Sequence, residues 1–177
     1  LKAGIYDKAI DCLERLSKND EYRLDALRSL LRIRCTEHDW EAAIGSARRL
    51  EKEASEDHSA DIAHFHCELA ELAVKQKNPE AAEREVSLAL LEKPYSPRAL
   101  MLAGDFAFQK NQVKEGVEDW EKLRQHSEDH FPLVFSRLVK GYDALGDAAG
   151  AQAVIDYALN RFPTSEVVEQ AMKRAFK

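Results

Sequence analysis

The chain has 177 residues, of which 45% are hydrophobic and 33% are charged, and its formal net charge is −6. This balance suits a packed protein with a well-solvated surface, and it argues against nucleic-acid binding, which normally needs a basic patch. Glycine (7) and proline (5) are too scarce for an all-β fold, and no stretch is apolar enough for direct insertion into a membrane.

A recurring pattern begins at GIYDKAIDCLERL and returns at HDWEAAIGSARRL. Its small residue recurs at intervals of 34, 39, 34 and 35 residues, as Ala9, Ala43, Ala82, Gly116 and Ala151. Mostly apolar residues follow four and seven positions later, and this spacing predicts one face of an α-helix. A small residue at the head of that face would let a neighbouring helix approach closely.

Other helical stretches alternate with these, and the stripe Leu24, Leu27, Leu30 and Leu31 is the first of them. Ser96-Pro97 predicts a helix start, and Pro94 and Pro163 follow predicted helix ends. Each repeat is therefore two antiparallel helices. We expect one array over 1–177, with second helices around 5–17, 39–52, 79–92, 113–125 and 148–161 and a terminal helix from about 165.

This arrangement resembles the tetratricopeptide repeat, whose fuller motif is partly kept by Leu100, Ala103 and Gly104. The resemblance implies an all-α solenoid, a right-handed superhelix of antiparallel helix pairs with about five repeats. In such proteins the first helix of each pair lines a concave groove that binds partners. Helical phase then predicts these partner-binding residues: Arg28, Arg32, His64, Cys67, Glu71, Arg98, Met101, Asp105, Phe108 and Lys140.

The stretch DIAHFHCELA (61–70) raises two other hypotheses, a metal site and a cysteine nucleophile. His64 and His66 point about 160° apart on a helix, so they cannot hold one ion together. We expect His66 to pack between helices, with its ring bonded to a backbone carbonyl or to water. His64 lies three residues from Cys67, but no oxyanion hole, glycine-rich loop or catalytic motif accompanies them. The pattern favours a protein with neither catalysis nor a cofactor.

The segments YRLDALRSLLRIRCTEHDWEAAIGSARRLEK and IAHFHCELA are more specific. They resemble the lipopolysaccharide assembly protein B family (LapB, also called YciM) of Gram-negative bacteria. The resemblance implies a longer protein with an N-terminal membrane helix, a tetratricopeptide array on the cytoplasmic face of the inner membrane, and a rubredoxin-like domain that holds iron or zinc. Since the membrane helix and the C-x-x-C pairs are missing here, we expect this chain to be a fragment.

The same resemblance implies an adaptor that limits lipopolysaccharide synthesis. It would present the deacetylase LpxC to the membrane protease FtsH, and components of lipopolysaccharide transport would be further partners. The alternative is an unrelated tetratricopeptide scaffold that binds a partner peptide in its groove. A third hypothesis, an enzyme or metal protein built around His64 and Cys67, belongs to a different class.

Overall fold

The structure, a computed structural model, describes residues 3–175, without the side chains of residues 3–5, 167, 170, 171, 174 and 175. The described residues form helices joined by short connections, with no strand among them. The chain divides into two compact units, Leu1–Lys93 and Pro94–Lys177. The predicted single array and its superhelix stay predictions. Within residues 3–175, no helix combines the length and the apolar character that a bilayer span requires.

The first unit contains five helices among its described residues. They are α1 Ala3–Leu16, α2 Arg23–Thr36, α3 Trp40–Ala54, α4 Ser59–Lys75 and α5 Pro79–Glu92. Each helix packs against at least one of its neighbours in the chain. One core cluster contains Leu27, Leu30 and Leu50, and a second is built on Ala43, Ala47, Ile62 and Phe65. The predicted apolar stripes therefore face each other inside this unit.

The second unit is also a succession of packed helices, with its own buried apolar residues. Its elements are α6 Pro97–Gln109, α7 Val113–His126, a short 3-10 helix Glu128–His130, α8 Phe131–Leu145, α9 Ala148–Arg161 and α10 Glu166–Ala175. In this unit α8 packs against α7, α9 and α10. The proline signals were correct, since α6 begins at Pro97 and the helices before Pro94 and Pro163 end at Glu92 and Arg161.

The turn between the first and second helix of each pair has the same geometry four times. One residue in each turn has a positive φ, between 58° and 70°: His38, Lys77, Asn111 and Gly146. The next residue donates its backbone N–H to a carbonyl five positions back, as Asp39 does to Arg34 at 2.9 Å. This left-handed turn ends the first helix. In three of the four pairs an Asp or Asn side chain then caps the second helix.

Four of the five small residues of the repeat are buried, as the pattern predicted: Ala43, Ala82, Gly116 and Ala151. Ala9, near the start of the chain, is only partly buried. A Cβ atom on Gly116 would lie 2.9 Å from the backbone oxygen of Gly104, so α7 lies against the backbone of α6. Helices this close leave no space for a larger side chain at the crossing.

The largest buried side chain of the second unit, Trp120 on α7, depends on glycines in the helices that pack against it. Trp120 is only 2% exposed. A Cβ on Gly104 of α6 would lie 2.5 Å from its Cδ1 atom, and a Cβ on Gly141 of α8 would lie 3.3 Å from its ring. The absence of a side chain at both glycines therefore gives the indole its space.

We predict that Gly104→Ala lowers the free energy of unfolding by about 1–3 kcal/mol, because the new methyl group overlaps the Trp120 indole. Gly45→Ala is the matched control. Gly45 is also helical, but a Cβ added to it would have no neighbouring atom within 4 Å, so alanine should stabilise the protein by about 0.5–1 kcal/mol. Thermal unfolding of both variants measures the difference. Equal shifts in the same direction would contradict the role given to Gly104.

Candidate protein-binding surface

Each unit has a candidate surface of its own on the first helices of its pairs, which are α2 and α4 in the first unit and α6 and α8 in the second. All ten predicted residues lie on these four helices. Arg28, Arg32, His64 and Lys140 are exposed. The partly buried members are Glu71, Arg98, Met101, Asp105 and Phe108. Nine of the ten side chains therefore reach the surface at least in part, and their binding of a partner stays a prediction.

Cys67 is the exception, and its assignment to the surface was wrong. It is 0% exposed, as are Ala63 and Ala70 on the same helix. The reason is that α4 packs against both α3 and α5, so its buried face is wider than a single apolar stripe predicts. A thiol enclosed in this way cannot attack a substrate that arrives from solvent. Among the described residues, no group of three or more His, Cys, Asp or Glu is placed to hold a metal ion.

His66 packs between helices as expected, but its partner differs from the prediction. Its Nδ1 atom lies 2.8 Å from the Oε2 atom of Glu85 on α5, where a backbone carbonyl or water was expected. Both side chains are largely buried, at 11% and 16% exposure. The contact satisfies a polar ring inside the α4–α5 interface, which supports a packing role for His66.

A network of charged side chains holds the loop between α3 and α4 beside α2. The Arg28 guanidinium donates to the carboxylate of Glu56 in that loop and, at 3.1 Å, to Asp25. The bond from Arg28 lowers the pKa of Glu56 below its ordinary value. His58 contacts Asp61 through Nδ1 at 2.9 Å and Glu56 through Nε2 at 3.2 Å. Arg28 is therefore engaged within its own unit.

In the second unit, three predicted residues line one cleft of about 200 Å³. These are Asp105, Phe108 and Lys140. Arg137 was not among the predicted residues, and it donates from Nε and Nη2 to the two Asp105 carboxylate oxygens at 2.6 and 2.9 Å. The Trp120 indole also lines the cleft. The only sequence signal for Arg137 was its position, one helical turn before Lys140.

Comparison with known proteins confirms the resemblance that the sequence predicted. The chain is 27% identical over 149 residues to lipopolysaccharide assembly protein B of Escherichia coli strain K12. It is 25% identical over 145 residues to the protein of that name from Haemophilus influenzae. These alignments cover 84% and 80% of this chain but only 38% and 36% of the relatives. The chain thus matches well under half the length of these curated proteins.

Solved structures confirm the fold. The N-terminal domain of stress-induced protein-1 from C. elegans matches with a TM-score of 0.56 and 20% identity, over 69% of this chain and 100% of that domain. YrrB, described as a tetratricopeptide repeat protein with an unusual peptide-binding site, matches with a TM-score of 0.55 and 14% identity. The match covers 97% of this chain and 86% of YrrB. No family model matches the chain. The fold is therefore the all-α tetratricopeptide fold.

The loop network predicts a pH dependence. The hydrogen bond to Asp61, and to a smaller extent the one to Glu56, raises the pKa of His58 above its ordinary value of 6.5. Protonation of His58 therefore favours the folded chain. This contribution should be complete below about pH 6.5 and lost as the pH rises through the raised folded-state value. We therefore expect the stability advantage of the wild type over His58→Gln to be larger at about pH 6 than at about pH 8.5.

Thermal unfolding of both proteins at the two pH values measures that advantage. Asp61→Asn serves as the control, because removing the first partner should lower the pKa of His58 in an NMR titration. A wild-type advantage that is the same at both pH values would contradict the prediction.

Proposed function

We propose that this chain is the protein-binding part of an adaptor in lipopolysaccharide assembly. The sequence similarity to lipopolysaccharide assembly protein B, over 84% of the chain, is the observation that carries the proposal. The tetratricopeptide fold supports it, because stacked helix pairs of this kind present extended surfaces to other proteins. The role is binding and not catalysis. The proposal includes presentation of the deacetylase LpxC to the protease FtsH at the cytoplasmic face of the inner membrane.

The chemistry of the first-helix surface suits contacts with a protein segment. Arg32 and Lys140 offer exposed cations, while Met101 and Phe108 offer partly exposed apolar groups. Arginine, methionine and aromatic side chains are enriched at protein interfaces. The groups stand on helices, so no backbone segment of this surface has to become ordered when a partner binds.

Arg28 contributes differently from the other cations of the surface. Its guanidinium is bonded to Glu56 and Asp25, so a partner carboxylate would compete with two acidic groups already in place. Replacing it would also remove the ion pair that joins α2 to the α3–α4 loop. Arg32, one turn further along α2, is exposed and offers a cleaner test.

We predict that immobilised chain captures purified LpxC and the cytoplasmic part of FtsH, and that Arg32→Glu lowers the captured LpxC about fivefold or more. Lys52→Glu is the matched control, since Lys52 is an exposed cation on the second helix α3. It should capture as much LpxC as the wild type, because second helices lie outside the proposed surface. Circular dichroism of each variant confirms that it is folded.

Equal capture of LpxC by wild type, Arg32→Glu and Lys52→Glu would sink the assignment of this surface. Capture of neither LpxC nor FtsH by the folded wild-type chain would contradict the proposed partners. The alternative, a scaffold for another assembly, would then account for the tetratricopeptide fold.

A further inference from the structure

Helix α4 begins one turn earlier than α6, its counterpart in the next pair. It has 17 residues where α6 has 13, and each of the two helices is followed by a three-residue turn, 76–78 or 110–112. Counted back from that turn, the additional residues of α4 are Ser59–Ile62. Since α6 packs against α7 without such a turn, the repeat fold does not explain it. We call this turn and the loop before it, residues 55–62, the entry segment of α4.

His58 lies in the middle of the entry segment, between two carboxylates. Its Nδ1 atom lies 2.9 Å from Oδ2 of Asp61, and its Nε2 atom lies 3.2 Å from Oε2 of Glu56. The imidazole is only 15% exposed, so both contacts are partly shielded from water. A protonated ring donates a hydrogen bond from each nitrogen, whereas a neutral ring has a single N–H. Without its proton, His58 can therefore donate to only one of the two carboxylates.

A chain of ionic contacts runs through His58 from α2 to α4. Arg28 on α2 donates to the Oε1 atom of Glu56, and the other oxygen of that carboxylate faces His58. His58 in turn contacts Asp61 in the additional turn of α4. Each link needs a hydrogen between its two partners. The chain is therefore complete only while both ring nitrogens of His58 carry a proton.

Other groups hold the entry segment without depending on that proton. Glu51 on α3 accepts the backbone N–H of His58 at 3.3 Å, and Asp57 accepts the backbone N–H of Ser59 at 2.9 Å. The bonds from Ser59 lower the pKa of Asp57, and the charge of Lys93 at the end of α5 contributes less. These groups fix the course of the loop, so the proton of His58 controls only the link between α2 and α4.

We propose that the entry segment of α4 is a proton-operated latch, which is closed while His58 is protonated. The closed latch joins α2 to α4 through the complete chain of contacts. When His58 loses its proton, one link is lost and the entry segment opens more often. The helices stay packed on one another, because their core clusters are apolar. The change is thus confined to a segment beside the candidate surface of the first unit.

Glu56→Gln separates a latch from a merely structural contact. A carboxylate can only accept hydrogen bonds, so it cannot pair with a ring nitrogen that has lost its proton. The amide that Glu56→Gln introduces has both a donor and an acceptor. It can accept from the charged ring and donate to the neutral one, while its oxygen still accepts from Arg28. This variant should therefore keep the latch closed and lose its dependence on pH.

The test measures opening of the entry segment by brief digestion of the full 177-residue chain with subtilisin. Mass spectrometry gives the rate of cutting within residues 55–58 at about pH 6, where His58 is charged, and at about pH 8.5. Each rate is divided by that of His58→Gln at the same pH, which cancels the pH dependence of the protease. We expect the wild type to be cut about threefold more slowly than His58→Gln at the lower pH and about equally at the higher.

Two controls show whether the opening is local. Cutting in the turn 37–39 should not differ between the wild type and His58→Gln, because the bond from Asp39 to Arg34 in that turn joins two backbone groups. His126→Gln is the matched variant, since His126 is an exposed histidine in the second unit. It should be cut within residues 55–58 at the wild-type rate.

The proposal is overturned if the ratio of the wild type to His58→Gln is the same at both pH values, or if Glu56→Gln keeps the pH dependence of the wild type. A parallel change in the turn 37–39 also contradicts it, because the opening would then be global. Absence of cutting within residues 55–58 in His58→Gln would show that the entry segment does not open. No partner protein takes part, so the result is independent of the capture experiment.

Discussion

Close contact between neighbouring helices is the constraint on which the rest of this structure depends. Four repeats bury a small residue, such as Ala43 or Gly116, and the backbone of α6 lies directly against Gly116. Where the second unit buries its largest side chain, Trp120, glycines on two other helices provide the room. A small residue on one helix thus leaves room for a larger side chain on its neighbour, and the packing stays dense.

The same packing determines which side chains remain available to a partner. The buried stripes of each pair pack against other helices, so only side chains that point away from these contacts can reach a partner. On α8, for example, Phe135 and Leu138 are fully buried while Lys140 is exposed. A residue's position on its helix therefore decides whether it is buried in the core or left at the surface.

Helical phase predicted most of this arrangement but failed for Cys67. A stripe of apolar residues defines one buried face, and His64 was correctly placed outside it. Helical phase alone could not show that α4 packs against both α3 and α5. These two helices bury Cys67 as completely as Ala63. Burial of a helix depends on how many helices surround it, and that number is a property of the packed unit.

The sequence by itself determined the repeat interval, the helix-ending prolines and the buried small residues. The prolines act through local backbone propensity, and the other two follow from the helical period, which does not depend on how the helices pack. Only the tertiary structure decided the pairing of Arg28 with Glu56, of His66 with Glu85 and of Asp105 with Arg137. These partners lie 28, 19 and 32 residues apart. Whether such side chains meet depends on the rotation and spacing of whole helices, which no local pattern encodes.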